Sequence, residues 1–305
     1  MIVTNDFRHL PNGNRVFVLG NFDGVHLGHQ TLFHEATRLA KNCQGEAIAF
    51  AFYPHPLQVL GCTLDAITPD HEKIRLISEQ GLSAYFAMPF NRDLADMSPA
   101  KFVEEILLKR AKAREVVVGF NFSFGRGGVG TPEFLQEALA VRGVSVMIFP
   151  PVLVDGEAVS STRIRQQIRL GDLERVATML GRPYGITGTV EHGDRRGRTL
   201  GFPTANLYGL QGLALPPYGV YAAFVHGIGY GMANLGQRPS FPQAGPSLEV
   251  HILDWHGNLY GRQITVQLLE FIRDEQRFTN LDDLQNQLAR DRAEIIHRLP
   301  TLTNR

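Results

Sequence analysis

Cysteine is scarce in this chain of 305 residues: Cys43 and Cys62 are the two present, in neither a C-x-x-C nor a zinc-ribbon spacing. That argues against a disulfide framework and a cysteine-built metal site, and it fits a reducing, cytoplasmic compartment. Long apolar runs are also missing. None approaches the ~18–20 residues that a bilayer span requires. The start, MIVTNDFRHLPNG, has no basic stretch followed by an apolar one, so no secretory signal is expected. Neither sign of charge is in excess: Lys+Arg and Asp+Glu stand at 30 each, leaving no whole-chain field for nucleic acid or an anionic membrane. The expected partners are small molecules, with no nucleic acid and no membrane, and no residue pattern bears on oligomeric state. H-E-x-x-H and G-x-x-x-x-G-K-[ST] are both absent, which removes the zincin and Walker-loop readings. No repeat or low-complexity segment occurs.

What is present falls into two patterns, and the length suits two domains. Residues 15 to about 155 alternate apolar runs with helical periodicity: RVFVLGN, HQTLFHEATRLAKN, EAIAFAFYP, HEKIRLISEQG, LSAYFAMPF, AKFVEEILLKRAKA, REVVVGF, PEFLQEALAVRG and VSVMIFPPVLV. Ser98-Pro99 starts one of these helices, whose Phe102, Val103, Ile106 and Leu107 share a face. Alternation of this kind predicts an α/β, Rossmann-like domain with a parallel sheet, whose ligands bind beyond the carboxyl ends of the strands. From residue 185 to about 272 the runs are short, rich in Gly and Pro, and joined by turns such as HGN, which predicts a small antiparallel β-barrel. A helix over about 280–298 would close the chain, packing Leu281, Leu284, Leu288 and Ile295 on the barrel. The expected domains are 1–182 and 183–305.

The stretch GNFDGVHLGHQ (20–30) sits where the first strand hands over to a helix. His26 and His29 could be half of a zinc site or plain polar residues, but zinc needs three or four ligands. A chemical reading also exists. A helix N-terminus offers unpaired N–H groups to phosphate, imidazoles three apart share its first turn, and Gly28 lets a flat group approach. VSSTRIRQQI begins a second helix, where Ser160, Ser161 or Thr162 suits a cap while Arg163 and Arg165 could grip phosphate. GFNFSFGRGGVGT (119–131) is either a flexible loop or a wall for a flat ring through Phe122 and Phe124. AFYPHP (51–56) ends the second strand.

In the second half, GTVEHGDRRGRTLGFPTANL (188–207) reads as a solvated hairpin loop or as a backbone cradle for an anion, through Gly193, Gly197 and Gly201. Thr204 and Asn206 project from one side if extended, and are weak oxygen ligands suited to Mg²⁺; a turn is the plain alternative. In SLEVHILDW, alternation puts Glu249 and His251 opposite Val250 and Ile252. Glu249 is then either a solvated carboxylate or a general base.

GNFDGVHLGH, YPHP, GFNFSFG and VSSTRIR, in this order, resemble the FMN adenylyltransferase module of the bacterial bifunctional riboflavin kinase/FAD synthetase family. GRTLGFPTANL, PPYGVY, NLGQRPSF, EVHILDW…LYG and FIRDEQRF resemble its riboflavin kinase module. The resemblance implies phosphorylation of riboflavin to FMN by ATP, and adenylylation of FMN to FAD with release of pyrophosphate, with Mg²⁺ as cofactor. In the transferase it assigns His26 and His29 to catalysis. Gly20, Phe22, Asp23, Gly24, Gly28, Ser161, Thr162, Arg163 and Arg165 would bind ATP, and Pro54, His55, Asn121, Phe122 and Phe124 the flavin. In the kinase, Glu249 would be the base, Thr204 and Asn206 the metal ligands, and Gly193, Gly197, Arg198, Gly201 and Pro203 the phosphate cradle, with Arg273 and Phe278 beside the flavin. Two positions depart from the family pattern: Gln237 stands where threonine is usual in GTRPT, and Tyr53 where an acidic residue is common. The alternatives are a synthetase whose kinase-like domain only binds flavin, and a non-enzymatic flavin sensor.

Overall fold

A computed structural model describes residues 1–193, 201–237 and 245–302. By contact the chain divides into two compact units, residues 1–64 with 69–161, and residues 65–68 with 162–305. The change of sequence pattern lies near residue 182, so the helices Ser161–Leu170 and Leu173–Leu180 precede that change, yet residues from 162 onward group by contact with the barrel.

The first unit is built on a six-stranded parallel sheet with strand order β1-β4-β3-β2-β5-β6. The strands are β1 (Ile2–Thr4), β2 (Arg15–Leu19), β3 (Glu46–Tyr53), β4 (Ala84–Pro89), β5 (Ala113–Gly119) and β6 (Ser145–Phe149). Strand β1 was not expected; three residues give no period to detect. The helix Leu27–Asn42 and the helix Asp70–Ser78 cover one face, where they meet Val16, Val18, Ala49 and Val117. On the other face Phe17, Leu19, Phe50, Val116 and Val118 pack on residues 102–107 and on Leu135 and Leu139. Alternate residues of one strand thus feed two cores, which is why each strand reads as a continuous apolar run.

Two segments differ from expectation. Phe102–Arg110 winds as a π-helix, closed by Ala111 N–H donating to Ile106 O at 2.8 Å. Phe102, Val103, Ile106 and Leu107 are all buried, as the shared face required. The run 144–154 is broken by Pro150-Pro151, so β6 stops at Phe149 and a separate hairpin, β7 (Leu153–Val154) with β8 (Glu157–Ala158), follows.

The second unit holds a closed six-stranded barrel: β9 (Gly185–Glu191), β10 (Ala205–Leu207), β11 (Gly219–Val225), β12 (Gly229–Gln237), β13 (Pro246–Ile252) and β14 (Gln263–Arg273). Every pairing in it is antiparallel. The final helix, Leu281–Leu302, packs Ile295, Leu288 and Leu299 against Val220, Ala222 and Met232. Leu281, expected in that contact, is 66% exposed because it stands at the helix's first residue, ahead of the packed turns. Arg273, the last residue of β14, ties this helix down. Its guanidinium donates to both carboxylate oxygens of Asp291, Nη2 at 2.7 Å, and Asp291 is only 1% exposed.

Candidate active sites

In the first unit the strand order turns back at β2, which has β3 on one side and β5 on the other. Ligands of open parallel sheets bind beyond the strand ends at such a switch point. Three predicted stretches leave those ends side by side: residues 20–26 after β2, 54–56 after β3 and 120–124 after β5. Adjacent strands lie about 4.8 Å apart, so the three loops are neighbours.

The loop after β2 is tightly constrained. Phe22 and Val25 hold positive φ angles of 58° and 44°, conformations that a β-branched residue rarely adopts, while Val25 N–H donates to Phe22 O at 3.0 Å. Phe22 is fully buried and sets its ring against Phe33, with centroids 4.8 Å apart. His26, 6% exposed, caps the following helix, and its Nδ1 accepts from His29 N–H at 3.4 Å. The two imidazoles then stack with centroids 3.5 Å apart, and the Phe22 ring meets His29 edge-on. Gly28 has a structural reason: a Cβ there would stand 3.1 Å from His26 Cε1, pressing on the ring. Two polar atoms of this loop, Asn21 Oδ1 and His29 Nδ1, are buried without a hydrogen-bond partner. Burial, with the nearby His26 and Lys73, holds the His29 imidazole well below its usual pKa.

The other predicted residues of the transferase are placed as follows. Asp23 is buried and its carbonyl accepts from Ser161 Oγ at 2.9 Å. Gly20 N–H donates to Phe50 O, which continues the strand ladder, and Gly24 takes a positive φ. Pro54 is exposed, and His55 caps a short helix through Leu57 N–H at 3.2 Å. Asn121 is exposed and Phe122 half-buried, whereas Phe124 is buried in the core against Phe102. Thr162, Arg163 and Arg165 belong to the second unit; Arg165 is buried and donates to Asp65 O at 2.7 Å.

In the barrel, Asn206 is 5% exposed and stands opposite Glu249 on β13 and Glu191 on β9. Its Nδ2 donates to Thr204 O at 3.3 Å, which turns Oδ1 to the other side as the amide's possible ligand atom. Gly193 packs on this amide; a Cβ would come within 2.6 Å of Nδ2. Val250 is buried and Glu249 half-buried, as alternation required, while His251 is buried with Nδ1–H donating to Pro203 O at 3.0 Å. A cavity of about 380 Å³ opens beside Gly193, Thr204 and Asn206, and its far wall is Trp255, His256 and Tyr260. Tyr260 lies 3.9 Å from the His192 ring, centroid to centroid. These aromatics were not singled out from the sequence, although their clustering around the HGN turn was the available signal. Gly201 is an exposed turn glycine, and Phe278 is half-buried. Gly197 and Arg198 lie outside the described residues. Among the described residues no three of His, Cys, Asp and Glu gather as a metal site. Thr204 and Asn206, the two residues expected to hold Mg²⁺, offer neutral oxygens, a kind of ligand set that Mg²⁺ completes with waters and substrate phosphates.

A family model for FAD synthetase matches residues 10–163, and one for riboflavin kinase matches residues 180–299. The bifunctional riboflavin kinase/FMN adenylyltransferase of Bacillus subtilis (strain 168) is 36% identical over 290 residues, covering 92% of this chain and 91% of its own. The enzyme of the same description from Escherichia coli (strain K12) is 37% identical over 287 residues, with coverage of 92% and 91%. The chain belongs to this family. Its members carry riboflavin kinase and FMN adenylyltransferase activities, here in the order FAD synthetase then riboflavin kinase. In fold the chain is similar to the crystal structure of a macrolide-efflux protein from Streptococcus pneumoniae, at TM-score 0.83 and 32% identity, covering 96% of this chain and 97% of that one. Among the described residues no helix is long and apolar enough to cross a membrane.

Proposed function

We propose a division of labour in which residues 183–305 phosphorylate riboflavin and residues 1–182 adenylylate the FMN formed, with ATP as donor both times. In the barrel, Glu249 takes the proton of the ribityl 5′-hydroxyl as its oxygen attacks the γ-phosphorus, and ADP leaves. Thr204 and Asn206 would hold Mg²⁺, which neutralises phosphate charge when bound. The cavity beside them takes the nucleotide, with Trp255 and Tyr260 as its flat wall and Arg273 and Phe278 towards the flavin.

In the transferase, a phosphate oxygen of FMN attacks the α-phosphorus of ATP directly and pyrophosphate departs. His26 and His29 stabilise the charge that builds on the α-phosphate, a task of placement and electrostatics. Ser161 braces the loop through Asp23. Phe122 and the 54–56 loop border the flavin. A cytoplasmic setting fits the cysteine usage.

The observation that carries this reading is the pairing of two separate constellations, the stacked histidines beyond β2 and the Asn206–Glu249 cross-strand pair. Chromatography of a reaction containing riboflavin, ATP and Mg²⁺ tests it. FMN first and FAD after it is the expected course. FMN without FAD would overturn the transferase assignment. Untouched riboflavin, with supplied FMN still converted, would overturn the kinase assignment and point to Gln237, whose Nε2 donates to Tyr218 Oη at 3.0 Å.

A further inference from the structure

Pro203 and Thr204 stand just ahead of β10, whose ladder with β13 covers Ala205–Leu207 and starts with Ala205 opposite Val250. Carried one step back, that register sets Thr204 level with His251. Beyond the ladder, side chains hold the backbone. His251 Nδ1 lies 3.0 Å from Pro203 O. A carbonyl oxygen only accepts, so Nδ1 carries the proton and donates. Asn206 Nδ2 donates to the next carbonyl, Thr204 O, at 3.3 Å. Two successive carbonyls are thus held by side chains from the two facing strands.

His251 is buried, whereas Pro203 is exposed and Thr204 half-buried. Phe202 meets the imidazole at 67°, with ring centroids 5.1 Å apart, and packs in turn on the core of Val220, Ala222, Met232 and Ile295. A buried histidine bonded to a carbonyl is ordinarily a satisfied core group. Here the carbonyl belongs to a segment outside the ladder, and that segment carries Thr204. Alternation also puts His251 on the face of β13 that bears Glu249, about 7 Å along the strand.

Resting on the kinase reading above, we propose that His251 is a positioning residue, its imidazole fixing the backbone at Pro203 so that Thr204 and Asn206 can hold one Mg²⁺ together. The two side chains share a side only while the backbone between them stays extended. Pro, Thr and Asn all favour turns, and a bond to the carbonyl just ahead of Thr204 opposes that collapse. His251 itself need touch neither metal nor substrate. One strand then carries both the proposed base and the brace for the metal-holding segment.

Trp255 is the one tryptophan of the chain and lines the cavity beside Thr204 and Asn206, so its fluorescence reads nucleotide there without turnover. The test is titration with ADP, once with Mg²⁺ and once with EDTA. In the unaltered chain Mg²⁺ tightens ADP binding. His251→Phe keeps a flat ring but has no donor, and it weakens binding about tenfold with Mg²⁺ while leaving the EDTA titration unchanged. His251→Asn, whose amide nitrogen sits as far along the side chain as Nδ1, keeps most of the Mg²⁺-dependent gain. FMN formation follows the same split: His251→Phe raises the Mg²⁺ concentration for half-maximal rate about tenfold, with the rate at saturating Mg²⁺ largely kept. FAD synthesis from supplied FMN persists in both variants. An undiminished Mg²⁺ gain in His251→Phe would overturn the proposal. So would equal weakening with and without Mg²⁺, which marks a purely structural histidine. If Mg²⁺ leaves ADP binding unmoved in the unaltered chain, the metal assignment of Thr204 and Asn206 fails first, and the role of His251 with it.

Discussion

The two units place their candidate site residues by different means. In the parallel sheet the central strands are covered on both faces, so ligand sites are expected in the loops beyond the strand ends. The price is local strain: Phe22, Gly24 and Val25 all turn through positive φ to bring His26 and His29 to one helix start. In the barrel the residues proposed to react sit on the strands themselves. Asn206 and Glu249 meet because β10 and β13 pair in one register, with Asn234 of β12 on the other side of Glu249. A loop site depends on a few backbone conformations, whereas a register site depends on the whole barrel staying closed.

That contrast can be broken one side at a time. Glu249→Gln keeps the strand register and removes the base, so FMN formation should fall by about 10²–10⁴-fold while FAD synthesis from supplied FMN persists. Normal kinase turnover would sink the base assignment. His29→Ala should cost the adenylyl transfer about 10²–10³-fold and spare phosphorylation; loss of both activities would instead signal misfolding. Asp291→Ala leaves the Arg273 guanidinium without its carboxylate at a nearly buried site, which should destabilise the barrel unit by roughly 3–5 kcal/mol. Denaturant unfolding of the variant, followed together with kinase activity, checks this, and an unchanged midpoint would show that the helix needs no such tie. The smallest effect concerns Thr131, whose Oγ1 accepts from Phe134 N–H at 3.2 Å and caps the helix Pro132–Ala140. Thr131→Ala should cost about 1 kcal/mol, seen as a small shift in the same unfolding curve, with both activities kept.

Much of this arrangement was legible in the residues. Apolar runs alternating with helical periods gave the parallel sheet, because strands buried on both faces must be continuously apolar. Short Gly-bounded runs gave the barrel. HxGH at a strand end and the T-x-N spacing before a strand were readable because each lies within one local element. Other features depend on distance along the chain. The π-helix at Phe102–Arg110 buries the same four apolar residues that an α-helix would, so the pattern could not separate the two. The aromatic wall of Trp255 and Tyr260 meets Asn206 only once the barrel closes. The pairing of Arg273 with Asp291, 18 residues on, joins the last strand to the final helix, which no local pattern reveals.

The most direct measurement is complementation in one tube. Glu249→Gln and His29→Ala chains are each incubated with riboflavin, ATP and Mg²⁺, first alone and then mixed, and the flavins are separated by chromatography. The expected result is no product from the first, FMN alone from the second, and FAD from the mixture, because each chain retains one complete site. FAD from the His29→Ala chain by itself, or a mixture that stops at FMN, would contradict the placement of two independent chemistries on two folds.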